Sequence, residues 1–98
     1  MNVVSRTVAR GSMVYVQAAG AQTRSVLDHI DAQLAATGLD KSKILTAEVL
    51  LADMSMREAH DSAWSEWING QHSPLLSCKP AALAHPDAPV EITVTAAR

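Results

Sequence analysis

The stretch from Gly38 to Met54 constrains the fold more than any other, because it ends one helix, forms a strand and starts the next helix. The helix before it is predicted over residues 22–37 by apolar residues at one-turn spacing, namely Val26, Leu27, Ile30 and Leu34. Gly38 suits the left-handed residue that stops a helix. Leu39 then falls where it can contact Leu34, so a Schellman motif is predicted.

The strand that follows alternates along Ile44 to Ala52. One face is apolar and is predicted to pack under helices, namely Leu45, Ala47, Val49 and Leu51. The other face is mixed and is predicted to meet a partner or a cleft, namely Ile44, Thr46, Glu48 and Leu50. Ser55 and Glu58 have the spacing of a capping box, so a second helix should run to about Ile68. Its predicted buried face is Met56, Ala59, Ala63, Trp64, Trp67 and Ile68, with His60 at its flank.

The ends of the chain have the character of strands. Val3–Arg10 and Met13–Gln17 flank Gly11-Ser12 and predict a β-hairpin, followed by a loop over 18–21. A fourth strand is predicted over 75–84, with Pro80 marking an edge or a bulge. A last strand begins at Val90 and alternates. The order ββαβαββ predicts an α+β two-layer sandwich in which both helices cover one face of a mixed sheet.

Length and composition limit both the number of domains and the classes of function. The chain has 98 residues, which predicts one domain over 1–98. A net charge of −2 with 8 basic residues gives no electrostatic footprint for nucleic acid. The single cysteine, Cys78, fits a reducing compartment. We see no signal peptide and no apolar run as long as a membrane span, so we expect a cytoplasmic protein without a membrane partner.

No chemical motif emerges from residue spacing alone. The four histidines, His29, His60, His72 and His85, lack metal-ligand spacing, so no metal site is predicted. Nothing in the sequence places a base beside Cys78, and a free cysteine in a strand is more often buried filler than a nucleophile. Glu48 and Glu91 each lie on the mixed face of a strand. They belong either to a solvated sheet face or to a carboxylate-lined cleft between subunits.

Several separated segments resemble the RidA/YjgF family, in the same order. They are Gly38–Leu45 followed by Leu51–Met54, Ala21–Leu27, Trp64–Trp67, Ser73-Pro74 with Cys78, and Pro89–Ile92. The resemblance implies a chorismate-mutase-like fold, related to the ferredoxin-like fold, assembled as a homotrimer with ligand clefts between subunits. Active members of the family hydrolyse enamines and imines to keto acids and ammonia without a metal or organic cofactor. An arginine on the penultimate strand binds the substrate carboxylate.

Carried onto this chain, the resemblance places Leu76 where the family has that arginine. Cys78 matches the family cysteine, and Glu91 matches the glutamate that positions water. Tyr15 and Gln17, on the second strand, complete the predicted ligand contacts. Leucine cannot pair a carboxylate, and losing such a contact in a desolvated site costs roughly 2–5 kcal/mol. Lys79 lies at an odd offset from Leu76 and should face the other side of the strand.

Three functional hypotheses follow from this resemblance. The first is a trimer that binds a small molecule at subunit clefts and lacks standard 2-imino acid deaminase activity. The second is an enamine or imine hydrolase for a substrate without a carboxylate, with Glu91 positioning water. The third, a ribonuclease or translation inhibitor, is disfavoured by the charge balance. Arg6 or Arg24 of a neighbouring subunit remains as another source of a guanidinium.

Overall fold

The computed structural model describes residues 3–20, 22–68, 75–80 and 89–98. The strands and helices follow the predicted order ββαβαββ. They are β1 Val4–Arg10, β2 Met13–Gly20, α1 Thr23–Ala36, β3 Ile44–Leu51, α2 Arg57–Ile68, β4 Leu75–Pro80 and β5 Val90–Ala97. Short 3-10 turns, Lys41–Lys43 and Met54–Met56, precede β3 and α2. No helix in these ranges combines the length and apolar character needed to cross a membrane.

The five strands form one mixed sheet in the order β1-β2-β5-β3-β4. Neighbours are antiparallel except β3 and β4, which run parallel. The two helices pack on one face, as predicted, and we call the other the open face. Alternate residues of the central strands therefore enter the core between sheet and helices. Those of β2 and β5 are Val14, Val16, Ala18, Val90, Ile92, Val94 and Ala96.

The stop of α1 has the predicted geometry. Gly38 has a φ of 80°, which favours a residue without a Cβ. The Leu39 N–H donates to the Leu34 carbonyl at 2.9 Å, and the Gly38 N–H donates to the Ala35 carbonyl at 3.0 Å. These are the two bonds of a Schellman motif, so that prediction is confirmed.

The predicted faces of β3 are wrong at its first two residues. Ile44 is fully buried, whereas Leu45 is 44% exposed. The pairing of β3 with β5 shifts between Ile44 and Thr46, which is a β-bulge. The extra residue reverses the alternation at that point, so Ile44 enters the core and Leu45 leaves it. From Ala47 onward the predicted faces are confirmed.

The predicted loop after Gln17 is also wrong, because β2 continues to Gly20. Ala18, Ala19 and Gly20 remain paired with β5. At Gly20 there is little space for a side chain, because an added Cβ would lie 3.0 Å from Val3 Cγ2 and 3.1 Å from Val26 Cγ2. The run of small residues is therefore a strand that lies close to α1.

The start of α2 differs from the predicted capping box. The Asp53 carboxylate accepts from the Ser55 N–H at 2.9 Å and caps the 3-10 turn that leads into the helix. This bond also lowers the pKa of Asp53. Within α2, His60 is buried and Ala59 is exposed, which reverses their predicted positions. Trp64, Trp67 and Ile68 are buried as predicted.

Trp67 connects the two helices. Its indole N–H donates to the Asp31 carboxylate on α1 at 2.8 Å. Lys41 lies with its ammonium 5.0 Å from the Trp67 ring centroid and donates to the Trp67 carbonyl. These contacts hold the C-terminal end of α2 against α1 and the turn before β3.

Candidate functional site

Leu76 and Cys78 lie on β4, at the edge of the sheet. Their pairing with Ala47 and Val49, which face the core, puts both residues on the helix side. Leu76 is 40% exposed, and Cys78 is half-buried. They line a groove of about 320 Å³ between β4 and α2, whose α2 wall includes Asp61. β4 is an edge strand, so the prediction that Pro80 marks an edge or a bulge is confirmed for the edge, and the predicted continuation over 81–84 lies outside the described residues.

The groove does not activate the Cys78 thiol. Burial raises the pKa of Cys78; the Arg57 guanidinium opposes that shift and the Asp61 carboxylate adds to it. Arg57 and Asp61 themselves form an ion pair at 3.6 Å, one turn apart on α2. Because a thiolate rather than a thiol is the nucleophile, this environment does not favour nucleophilic catalysis by Cys78.

His60 is buried, whereas the sequence predicts it at the flank of the helix. Its ring stacks on Trp64 with centroids 6.3 Å apart, and its Nδ1 lies 3.3 Å from an Asp61 carboxylate oxygen. Nε2 has no hydrogen-bond partner within the described ranges. The signal for its burial is its spacing, since His60, Trp64 and Trp67 recur along one helix face.

Glu91, Tyr15 and Gln17 lie on the open face. Each is out of phase with the core residues of its strand, so the prediction that Glu91 lies on the mixed face is confirmed. Tyr15 and Gln17 are exposed, whereas Glu91 is only 7% exposed. Glu91 and Gln17 line a cavity of about 200 Å³ near the start of β5.

Lys79 also lies on the open face, opposite in direction to Leu76 as predicted. Its ammonium lies 3.4 Å from the exposed Glu48 carboxylate. Lys79 is therefore paired with Glu48 and lies on the opposite face of β4 from Leu76. The two glutamates, Glu48 and Glu91, also differ in their charge partners, because within the described ranges only Glu48 has an ion-pair partner.

The predicted site residues thus divide into two groups within one chain. Leu76 and Cys78 lie on the helix side at the β4 edge, whereas Glu91, Tyr15 and Gln17 lie on the open face. The periodicity of single strands cannot predict this division, because the relative positions of the two groups depend on how β2, β5, β3 and β4 pair.

Arg6, which is not among the site residues predicted from the sequence, also lines the open-face cavity. Arg6 lies directly opposite Gln17 in the β1–β2 hairpin. Counting outward from the Gly11-Ser12 turn would have placed them together, because opposite residues of a hairpin share a face. Arg24, the other arginine considered, instead pairs with Glu66 across the helices at 3.0 Å.

Comparisons with known proteins give consistent matches. The family described as Endoribonuclease L-PSP matches residues 3–98. A RutC family protein from Haemophilus ducreyi is 43% identical over 76 residues, which cover 78% of this chain and 65% of that protein. This chain therefore matches just under two thirds of that relative's length.

Solved structures extend the similarity to the whole fold. A Salmonella typhimurium protein, described as a candidate translation initiation inhibitor, superposes with a TM-score of 0.89 at 29% identity. That match covers 97% of this chain and 90% of the other. A member of the YjgF/YER057c/UK114 family from Mycobacterium tuberculosis has a TM-score of 0.85 at 25% identity, covering 95% and 85% of the two chains.

Proposed function

Because this chain belongs to the RidA/YjgF family, we propose that it is a homotrimer that binds a small molecule in the clefts between its subunits. We further propose that it lacks the 2-imino acid deaminase activity that is standard for the family. The observation that carries the second part is Leu76. This side chain is exposed on β4, at the position that matches the family's carboxylate-binding arginine, and it has no group that can bind an anion.

The open face supports the proposed assembly. Val4 and Tyr15 lie on it and are 45% and 38% exposed, although both are large and apolar or aromatic. A sheet with one face already covered by helices gains stability when other chains cover the second face. Three chains of 10.4 kDa give a mass of about 31 kDa, which sedimentation equilibrium would distinguish from a monomer or a dimer.

The activity is tested with 2-aminoacrylate, generated in the assay from serine by a dehydratase. We expect the wild-type protein to release pyruvate and ammonia no faster than the uncatalysed reaction. An arginine-bearing family member in a parallel assay gives the reference rate. If the wild-type protein matches that reference, the proposal is wrong.

Two substitutions at one position sharpen this test. Leu76→Arg should raise the rate by about tenfold or more, because a guanidinium binds a carboxylate with two parallel hydrogen bonds. Leu76→Lys restores the charge without that fork geometry and should gain less. Equal masses of the three proteins by sedimentation would show that the assembly has not changed.

The second candidate function is hydrolysis of an enamine or imine, with Glu91 positioning the water. It is favoured by the cavity of about 200 Å³ that Glu91 lines on the open face. The test is a panel of imines with and without a carboxylate. Glu91→Gln keeps the shape of the side chain and should abolish turnover without changing the mass of the assembly. Absence of turnover across the panel by the wild-type protein would contradict this candidate.

A further inference from the structure

The groove between β4 and α2 has walls of different chemical character. Leu76 and Cys78 form the β4 wall, two residues apart on the helix side of the strand. Arg57, Asp61 and Ser65 lie on the α2 wall at intervals of four residues, so they share one side of that helix. The groove is therefore apolar along the strand and polar along the helix. Its volume of about 320 Å³ is large enough for a molecule of several heavy atoms.

The polar wall is organised around the Asp61 carboxylate. Its Oδ2 lies 3.6 Å from Nε of Arg57, which is the only lysine or arginine lining the groove within the described ranges. Its Oδ1 lies 3.3 Å from Nδ1 of the buried His60 ring. Both carboxylate oxygens thus have a partner on α2, which holds the group in place at the groove. Each oxygen has more than one acceptor position, so Asp61 can also accept a hydrogen bond from a ligand.

These contacts determine which charge a ligand can carry. A carboxylate in the groove would lie near Asp61, and the cation at hand is already paired, so its lost hydration would not be replaced. An ammonium group would have to compete with Arg57 for Asp61. Cys78 adds no charge, because burial raises the pKa of its thiol. An uncharged head group avoids both costs, since it can donate to Asp61 and form a second hydrogen bond with the Ser65 hydroxyl.

The strand wall suits the apolar part of such a ligand. Leu76 is 40% exposed in the single chain, and Trp64 also lines the groove. A hydrocarbon group that covers Leu76 removes apolar surface from water, which is favourable. Leucine at this position therefore provides a contact for an apolar group where a guanidinium would bind an anion.

We infer that the groove between β4 and α2 binds an uncharged small molecule with an apolar body and a head group that carries an N–H or O–H donor. The apolar body packs on Leu76 and Cys78, and the head group donates to Asp61. Leu76 and Asp61 together set the specificity of the groove against carboxylates. The inference rests on the proposed function, because it names the class of molecule that the proposed small-molecule site takes.

The test is an NMR titration of the isotope-labelled protein with isobutyramide, isobutyrate and isobutylamine. These molecules share one carbon skeleton and are uncharged, negative and positive, respectively. Isobutyramide should bind about tenfold more tightly than isobutyrate, because the carboxylate loses hydration without gaining a cation. It should also bind more tightly than isobutylamine. The largest chemical shift changes should fall on Ser65, Leu76 and Cys78.

Two substitutions should change the preference in a defined way. Leu76→Arg places a second guanidinium in the groove, so isobutyrate should then bind more tightly than isobutyramide. Asp61→Asn removes the negative charge and releases Arg57. It should raise the affinity for isobutyrate by roughly fivefold, the upper range for a half-exposed ion pair.

Ala59→Arg is the matched control. It adds the same charge as Leu76→Arg at an exposed position of α2 that does not line the groove. The order of the three ligands should remain that of the wild-type protein. Unchanged dispersion of the amide resonances would show that each variant is folded.

Four results would overturn the inference. They are tighter binding of isobutyrate or isobutylamine than of isobutyramide by the wild-type protein, shift changes centred on Gln17 and Glu91, equal effects of Leu76→Arg and Ala59→Arg, or no saturable binding of isobutyramide. None of these results alters the mass of the assembly or the rate with 2-aminoacrylate. Failure of this inference and failure of the proposed function are therefore distinguishable.

Discussion

Asp31→Ala tests whether the bond between Asp31 and Trp67 stabilises the pairing of the helices. Trp67 is 4% exposed, and its indole N–H has the Asp31 carboxylate as acceptor at 2.8 Å. Removing the acceptor leaves a buried donor unpaired, which costs about 1–3 kcal/mol. Alanine is a better helix former than aspartate by about 0.5 kcal/mol, which offsets part of the loss. We expect the free energy of unfolding to fall by about 1–2 kcal/mol.

Asp28→Ala is the matched control on the same helix. Asp28 is exposed and belongs to no ion pair within the described ranges. It gives the same gain in helix propensity without the loss of a buried bond. Asp31→Asn keeps an acceptor and loses only its charge, so it should cost about 1 kcal/mol. The three variants should therefore rank Asp28→Ala, Asp31→Asn, Asp31→Ala in decreasing stability.

Urea unfolding followed by far-UV circular dichroism measures these differences. Tryptophan fluorescence is less suitable because Trp67 belongs to the altered contact. With a slope of about 1–2 kcal/mol per molar urea, the midpoint for Asp31→Ala should fall about 1 M below that for Asp28→Ala. Protein concentration must be equal throughout, because assembly shifts apparent stability. Coincident midpoints for these two variants would refute the reasoning.

Three further predictions follow from buried or capping groups. Because burial raises the pKa of Cys78, its alkylation by iodoacetamide should reach half the maximal rate at a higher pH in folded protein than in urea; equal midpoints would contradict this. Gly20→Ala should lower the free energy of unfolding by about 1–3 kcal/mol, since the new Cβ would lie 3.1 Å from Val26 Cγ2; unchanged urea unfolding would argue against that contact. The Asp53 carboxylate accepts from Ser55, which lowers its pKa below the ordinary 3.8. The stability that the ionised Asp53 cap gives the fold should be present above pH 3.8 and lost as the pH falls through the lower pKa of the folded state. The difference in urea midpoint between wild type and Asp53→Ala should therefore shrink between about pH 5 and pH 2. A constant difference would be inconsistent with that cap.

Sequence reasoning succeeded where one element carries its own signal. The stop of α1 at Gly38 and the alternation of β5 from Val90 depend on neighbouring residues alone. The prediction was wrong where two neighbouring residues had similar chemical character and either could have taken the same position. Ile44 and Leu45 are both apolar, so periodicity could not reveal the bulge. Asp53 and Ser55 are both good cap residues, and only the backbone path selects between them.

The candidate site was harder to predict than the fold. Glu91 was assigned to the correct face, but its burial depends on neighbours from β1 and β2. The separation of Leu76 from Glu91 depends on the register of β4 with β3 and of β3 with β5. Register is a relation between distant segments, and the period of a single strand does not contain it.

The bulge at the start of β3 has a consequence for how the chain tolerates changes in length. Because side chains alternate along a strand, inserting or deleting one residue normally inverts every position beyond the change. At Leu45 the extra residue is already outside the alternation. Deletion there would leave Ala47, Val49 and Leu51 in the core and would remove an exposed leucine from the surface. Among related chains, a gap of one residue at this point would preserve both faces of the sheet, whereas the same gap within β5 would turn the core outward.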